Sequence, residues 1–273
     1  MLKNKTFLIT GIADENSLAM FVAKKIIENG GKVICTGLGV SEFHQDLSDK
    51  AKQFLNANYL DFQNSVKKEL GDSQTEILDV TLENSVDAFA KKLKDNNIKI
   101  DGFLHAIAMD KTIRQKVVKP ILEVTKDEFC DTMEVSAYSL IRIAQYLYKY
   151  NVMQPKSSIC SLSYIAAAKV TFHPYRNISI AKAALERITI ELADELGRRD
   201  GTRVNAIRFS PYMGSKAGTA TLNQSDFDTA DKLSPLGNAT PDDLANEVIH
   251  LFRPNGRITG EIRHVDGGYN IMG

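Results

Sequence analysis

Tyr175 and Lys182 stand seven positions apart in the stretch His173-Pro-Tyr-Arg-Asn-Ile-Ser-Ile-Ala-Lys182. A phenol can donate a hydrogen bond to an oxygen that is gaining negative charge, and an ammonium beside it stabilises the phenolate and holds sugar hydroxyls. Seven positions is close to two helical turns. If Pro174 opens a helix, the two groups project from nearly the same side, about 10 Å apart along the axis, and both long side chains can converge on one ligand. An isolated Tyr and Lys at this spacing also fits the exposed face of an amphipathic helix, so the surrounding motifs decide.

A second chemical feature lies near the start of the chain. Thr10-Gly11-Ile12-Ala13-Asp14-Glu15-Asn16-Ser17-Leu18-Ala19 has the form Gly-x5-Ser-x-Ala and places backbone N–H groups and a hydroxyl at a helix N-terminus, where anions bind. The usual dinucleotide fingerprint has glycines where Glu15 and Ser17 stand, and a plain strand-to-helix turn accounts for the pattern as well. Asp79-Val80, expected at the end of a third strand, offers a carboxylate to an adenine amine, and an Asp in that place is equally a routine helix cap. The second strand ends Cys35-Thr36-Gly37-Leu38-Gly39, with neither an acid for a ribose diol nor an Arg or Lys for a 2′-phosphate, which favours NADH over NADPH.

These groups need a scaffold, and the hydrophobic pattern supplies one. Thr6 to Thr10 is an apolar run ending at Gly11, and from Ser17 to Glu28 the residues Leu18, Phe21, Val22 and Ile26 recur at helical spacing before Asn29-Gly30-Gly31 stops them. Strands follow at Lys32 to Cys35, Glu76 to Val80, Ile100 to Ile107, Ser157 to Ser161, Arg203 to Ile207 and Ile262 to Val265. Helices are expected at Leu82 to Lys94, Thr125 to Tyr150, from Tyr175 to about Arg198, and at Pro241 to Phe252, where Asp242 and Asp243 favour the positive helix end. Seven strands alternating with helices predict an α/β domain, a parallel sheet with helices on both faces. No repeat, low-complexity tract or linker interrupts residues 1–273, so one domain is expected. Two segments resist: Gly39 to Gln74, with at most a helix near Leu47 to Leu55, reads as a functional insertion or a surface excursion, and the polar stretch from Met213 to Leu233 sits where a mobile lid would.

Composition bounds the partners. The 273 residues are 43% hydrophobic, enough for one large core. Lys+Arg and Asp+Glu both total 34, so no global charge points to nucleic acid or an anionic membrane. No signal peptide or bilayer-spanning run is visible, and a cytoplasmic protein is expected. Cys35, Cys130 and Cys160 are too scattered for a disulfide framework. His44, His105, His173, His250 and His264 lack ligand spacing, so no metal site is expected.

Taken together, Gly11-x5-Ser17-x-Ala19, Asp79-Val80, Ser161-Leu-Ser-Tyr164, Tyr175-x6-Lys182, Arg203-Val-Asn-Ala206, Pro211 and Thr259-Gly-Glu-Ile-Arg-His-Val-Asp-Gly-Gly268 resemble the short-chain dehydrogenase/reductase superfamily. More narrowly the chain is similar to the divergent enoyl-[acyl-carrier-protein] reductases of bacterial fatty-acid synthesis, since ordinary members use Tyr-x3-Lys and here Ser179 follows Tyr175 by four. The resemblance implies a doubly wound Rossmann fold, a homotetramer, and NADH as cofactor. It implies that Tyr175 bonds the thioester carbonyl, that Lys182 holds the nicotinamide ribose, and that Tyr164 and Tyr212 line the acyl pocket. Gly11, Ile12, Ser17, Leu18, Asp79, Val80, Ala106, Ile107, Ala108 and Pro211 match positions lining the cofactor, and about 212–233 matches the substrate-covering loop.

The chain also departs from that pattern. His-Ser-Ile-Gly reads His105-Ala-Ile-Ala108, which adds a methyl group where nicotinamide and substrate meet, and Pro-Ile-x-Thr reads Pro211-Tyr-Met-Gly214, which exchanges a hydroxyl for a ring two positions earlier. The implied reaction is hydride transfer from NADH to the β-carbon of a trans-2-enoyl thioester carried on acyl carrier protein or CoA. The alternatives are a specialised reductase of another conjugated thioester or ketone, and a catalytically silent nucleotide-binding relative. Lys111-Thr-Ile-Arg-Gln-Lys-Val-Val-Lys119 offers four basic residues without an acid, a docking surface for an acidic carrier or a solvated loop.

Overall fold

A computed structural model describes residues 1–171 and 175–272. His173 and Pro174, the residue expected to open the Tyr175 helix, lie outside them. The chain runs β1 (Thr6–Ile9), α1 (Leu18–Glu28), β2 (Lys32–Gly37), α2 (Asp49–Leu70), β3 (Gln74–Ile77), α3 (Glu83–Asp95) and β4 (Ile100–His105). A small antiparallel hairpin of β5 (Ile113–Arg114) and β6 (Val117–Val118) follows, then α4 (Lys126–Met133), a π-helical turn at Glu134–Tyr138, and α5 (Ser139–Lys149). The remainder is β7 (Met153–Ser163), α6 (Asn177–Asp200), β8 (Arg203–Phe209), α7 (Lys216–Thr221), α8 (Gln224–Leu233), α9 (Pro241–Phe252) and β9 (Ile262–Val265).

Seven strands form one parallel sheet, as the alternating pattern predicts, and the order is β3-β2-β1-β4-β7-β8-β9. Strand side chains point alternately to opposite faces, and the core divides accordingly. Phe7, Ile9, Val33, Cys35, Leu104, Cys160 and Leu162 join a cluster with α1 and α9, while Leu8, Ile34, Phe103 and Ile159 join one with α3, α5 and α6. On the first face Phe7 stacks on Phe252 of α9 at 5.0 Å between ring centres, and burying a side chain of that size contributes roughly 1.5 to 3 kcal/mol. No helix among the described residues is long and apolar enough to cross a membrane.

The order of strands reverses between β1 and β4, and at such a switch point the two connections leave to opposite faces and open a crevice at the strands' carboxyl ends. Gly11 just past β1 has φ +86°, and a Cβ there would stand 2.2 Å from the Ala106 carbonyl oxygen just past β4. Only a residue without a side chain lets the two strand ends meet this closely.

Several boundaries differ from expectation. The long 39–74 stretch contains the 22-residue helix α2 rather than a short one at 47–55. Its buried side chains, Phe62, Ser65, Val66 and Leu70, all lie in its second half, so the first half carries no apolar stripe to read. The third strand ends at Ile77, which leaves Asp79 and Val80 in the connection to α3. The single helix expected from Thr125 to Tyr150 is interrupted by the π turn, and the polar Met213–Leu233 region folds into α7 and α8. We expect Gly11→Ala to destabilise the fold by roughly 2 to 4 kcal/mol through a strained φ and the clash with Ala106, measured by urea denaturation.

Candidate active site

The catalytic candidates come from the carboxyl ends of neighbouring strands and from α6. Tyr164 directly follows β7. Tyr175 precedes α6 rather than lying on it: the helix begins at Asn177, and Arg176 before it has φ +46°, outside helical geometry. The two-turn helical projection drawn from sequence is therefore not what unites Tyr175 with its neighbours. The turn itself brings Tyr175 against Tyr164, with ring centres 4.9 Å apart and planes inclined by 41°. Burial raises both phenol pKa values, and a hydrogen bond with Thr221 of α7 acts in the opposite sense on Tyr175. The segment expected to cover the site thus reaches the tyrosine through Thr221.

Lys182, in the second turn of α6, donates from Nζ to the Leu162 carbonyl of β7 at 2.7 Å. Burial lowers its pKa from the ordinary lysine value to about 8, against the pull of Glu186 one turn on. Glu186 is itself buried. It accepts the Ser163 hydroxyl at 2.6 Å on Oε1, and Arg208 of β8 donates to both its oxygens, from Nε at 2.8 Å and Nη2 at 2.6 Å. This bidentate ion pair fastens α6 to the two strands whose ends carry Tyr164 and Pro211.

His105, fully buried at the end of β4, has Nε2 2.7 Å from Ser139 Oγ, and that hydroxyl donates to the Val135 carbonyl at 2.7 Å. The ring therefore donates from Nε2. Burial first, and the nearby Lys182 charge second, depress its pKa to about 3, so it is neutral. Among the described residues no group of His, Cys, Asp and Glu is arranged to hold a metal ion, and Cys35, Cys130 and Cys160 are free thiols.

At the nucleotide turn, Ser17 caps α1 but directs its hydroxyl backwards: Oγ accepts the Ala13 and Asp14 N–H groups at 2.9 and 3.1 Å and lies 3.2 Å from Asp14 Oδ1. The hydroxyl shapes the turn instead of reaching outward. Leu18 opens α1, whose first turn contains no acid, so the positive helix end stays available to a phosphate. Ile12, Val80 and Pro211 are buried, Ala106 and Ile107 are half-buried, and Ala108 is exposed. Asp79 binds the Thr81 N–H and hydroxyl and also His44 of the β2–α2 connection.

Tyr212 groups with the nucleotide turn. It packs against the cluster that contains Ile12, and burial, then Asp14, raises its phenol pKa. A Cβ on Gly214 would lie 2.2 Å from the Tyr212 hydroxyl oxygen, so the phenol fills the space that a side chain at 214 would take. The changes at 212 and 214 are thus one coupled exchange. Around the β5–β6 hairpin, Lys111 pairs with Asp131 and Lys119 with Glu128, Arg114 donates to the Lys111 carbonyl, and among the described residues no carboxylate pairs with Arg114 or Lys116.

Sequence reasoning missed Glu186, Arg208, Thr221 and His44. Glu186 was the most accessible of them, four residues after Lys182 on the same helical face. The partners of Arg208, Thr221 and His44 are set by tertiary structure alone.

The family model described as Enoyl-(Acyl carrier protein) reductase matches residues 11–270. The chain is 30% identical to the enoyl-[acyl-carrier-protein] reductase [NADH] of Aquifex aeolicus, covering 100% of this chain and 94% of that protein. It is also 30% identical to enoyl-[acyl-carrier-protein] reductase [NADH] 1 of Rhizobium meliloti, over 100% and 93% of the two chains. The crystal structure of the Aquifex enzyme superposes with a TM-score of 0.84 at 29% identity, over 100% of this chain and 98% of that one. A FabI–NADH complex from Alistipes finegoldii gives 0.84 at 27% identity, over 100% and 90%.

Two outcomes are expected. Because the Lys182 ammonium loses its proton near pH 8, kcat/KM for NADH should be level below that pH and fall as pH rises through it, and Lys182→Ala should erase the inflection. Gly214→Thr should weaken NADH binding and lower Tm, and Tyr212→Ile in the same chain should recover both, as read by NADH fluorescence titration and thermal melts.

Proposed function

The chain belongs to the enoyl-(acyl carrier protein) reductase family, and from that premise we propose that Tyr175, Lys182 and Tyr164 carry its chemistry. It is an NADH-dependent oxidoreductase acting on enoyl thioesters, in the short-chain dehydrogenase/reductase superfamily. The observation that carries the residue assignment is the convergence, at one sheet end, of the Tyr164–Tyr175 pair with a buried ammonium of lowered pKa.

The residues fit a dinucleotide. The α1 terminus is free of acid in its first turn, Gly11 closes the crevice floor, and the end of β2 carries no cation for a 2′-phosphate. The phosphates would lie over Gly11, Ile12 and Leu18, the adenine beside Asp79 and Val80, and the nicotinamide near Ala106, Ile107, Ala108 and Pro211. When bound, NADH supplies the hydride taken up at the substrate β-carbon.

The protein's own part is electrostatic. As the β-carbon gains hydride, negative charge collects on the thioester oxygen as an enolate, and the Tyr175 hydroxyl donates to it. The Thr221 hydrogen bond acts to lower the phenol pKa, as a bond donated to the phenol oxygen does, and leaves the phenol's own proton for the substrate. The raised Tyr175 pKa keeps the phenol protonated, the form that can donate. Tyr164 walls the acyl side through its ring contact with Tyr175. Lys182 keeps a positive potential behind the tyrosine and holds ribose hydroxyls, and solvent returns a proton to the α-carbon.

Residues 1–273 act as one unit with 212–233 as the cover, in a cytoplasmic homotetramer. Exposed Tyr138, Ile180 and Ile190 on the α5–α6 side support packing against further copies. Arg114 and Lys116, without a carboxylate partner among the described residues, are the hairpin charges that would meet an acidic carrier. With crotonyl thioester and NADH followed by absorbance, Tyr175→Phe should lower kcat roughly 100-fold with little change in KM for NADH. Lys182→Ala should lower kcat and raise that KM. Wild-type rates in both variants would remove the assignment.

A further inference from the structure

His44 is 8% exposed although it comes from the polar connection between β2 and α2. Its Nδ1 accepts the Ser41 backbone N–H at 3.0 Å, with the Ser41 hydroxyl also at 3.0 Å, so the ring proton of the neutral imidazole is on Nε2. Nε2 donates to Asp79 Oδ2 at 3.1 Å. Asp79 Oδ1 meanwhile accepts the Thr81 N–H at 2.9 Å and the Thr81 hydroxyl at 2.7 Å. An ionised carboxylate has about four acceptor positions. Two on Oδ1 and one on Oδ2 are used, and the Asp79 side chain keeps 15% of its surface exposed. One acceptor position, on Oδ2, is left for a ligand.

We propose that His44 is a positioning residue for the purine end of the cofactor, fixing Asp79 so that a single Oδ2 acceptor position remains for an exocyclic amine, which makes the enzyme select a 6-aminopurine over a 6-oxopurine dinucleotide. This rests on the reading of Asp79 as the adenine partner. A 6-oxopurine presents a carbonyl oxygen to the same carboxylate, and two acceptors facing each other repel. A freely rotating Asp79 would lose much of that discrimination, because it would offer other lone pairs and admit water between. The Thr81 contacts alone hold one oxygen. His44 holds the other.

The test compares kcat and KM, and Kd by fluorescence titration in the absence of substrate, for NADH and for reduced nicotinamide hypoxanthine dinucleotide in the full-length enzyme and in His44→Asn, His44→Gln and Asp79→Asn. Asn at 44 places its carbonyl where Nδ1 was, which keeps an acceptor for Ser41 but falls short of Asp79. Gln places an N–H where Nε2 was. The wild type should favour NADH in kcat/KM by roughly tenfold, the effect of one hydrogen bond to a charged group. His44→Asn should cut the preference below about threefold through KM rather than kcat, and His44→Gln should keep it. If His44→Asn retains the full preference while Asp79→Asn loses it, the role of His44 is overturned and that of Asp79 stands. An active wild type that does not distinguish the two dinucleotides overturns both.

Discussion

The buried ammonium of Lys182 is the constraint around which the site is arranged. Removing a charge from water is costly unless it is hydrogen bonded. Its bond to the Leu162 carbonyl answers that need, and in doing so it fixes the height of α6 against β7. Leu162 lies two residues before Tyr164, so the group that settles the lysine also settles the backbone carrying one tyrosine, while Tyr175 is packed on that tyrosine's ring. The lysine proposed to serve the chemistry is thus also architectural in effect.

Glu186 adds a second tie on the same helix. A carboxylate this close to Lys182 would ordinarily pair with it, but both of its oxygens are taken by Arg208 and one also by Ser163. Burial lowers the lysine's pKa, and the Glu186 charge one turn away raises it only in part. Replacing one partner of such a buried pair leaves the other unpaired in low dielectric, which is why these contacts hold geometry more firmly than their net energy suggests.

The parts of this structure that local chemistry determines were legible in the sequence. Helix α9 and strand β9 have the expected bounds because Thr240 and Asp243 form a capping box around Pro241 and the apolar spacing is regular. The parallel pairing of the sheet followed from alternation, while the order of its strands is a tertiary fact. Helix α2 was not legible, since its first half is polar and its stability comes from packing of Phe62, Val66 and Leu70 farther along. Nor was the turn at Arg176, whose positive φ lies between Tyr175, packed on the Tyr164 ring, and the buried Asn177. At the candidate site, residue types singled out Tyr175, Lys182 and the nucleotide turn as candidates, whereas the contacts of Arg208, Thr221 and His44 are with partners distant in sequence. The change from Pro-Ile-x-Thr to Pro211-Tyr-Met-Gly214 was legible as residues, whereas the phenol's place in the space beside Gly214 is a matter of tertiary geometry.

The π turn at Glu134–Tyr138 sets the phase of everything that follows it. One extra residue in a helical turn rotates the downstream helix by about 100°. Ser136 can therefore both accept the Met109 N–H and donate to the Met109 carbonyl, while Ser139 still reaches His105. Upstream, α4 buries only Thr132, whereas α5 buries a full apolar face. The irregular winding works as a gear change: it lets one continuous helical rod clasp the loop after β4 with its middle and the sheet with its end, two surfaces that evenly wound backbone would present in turn but not together.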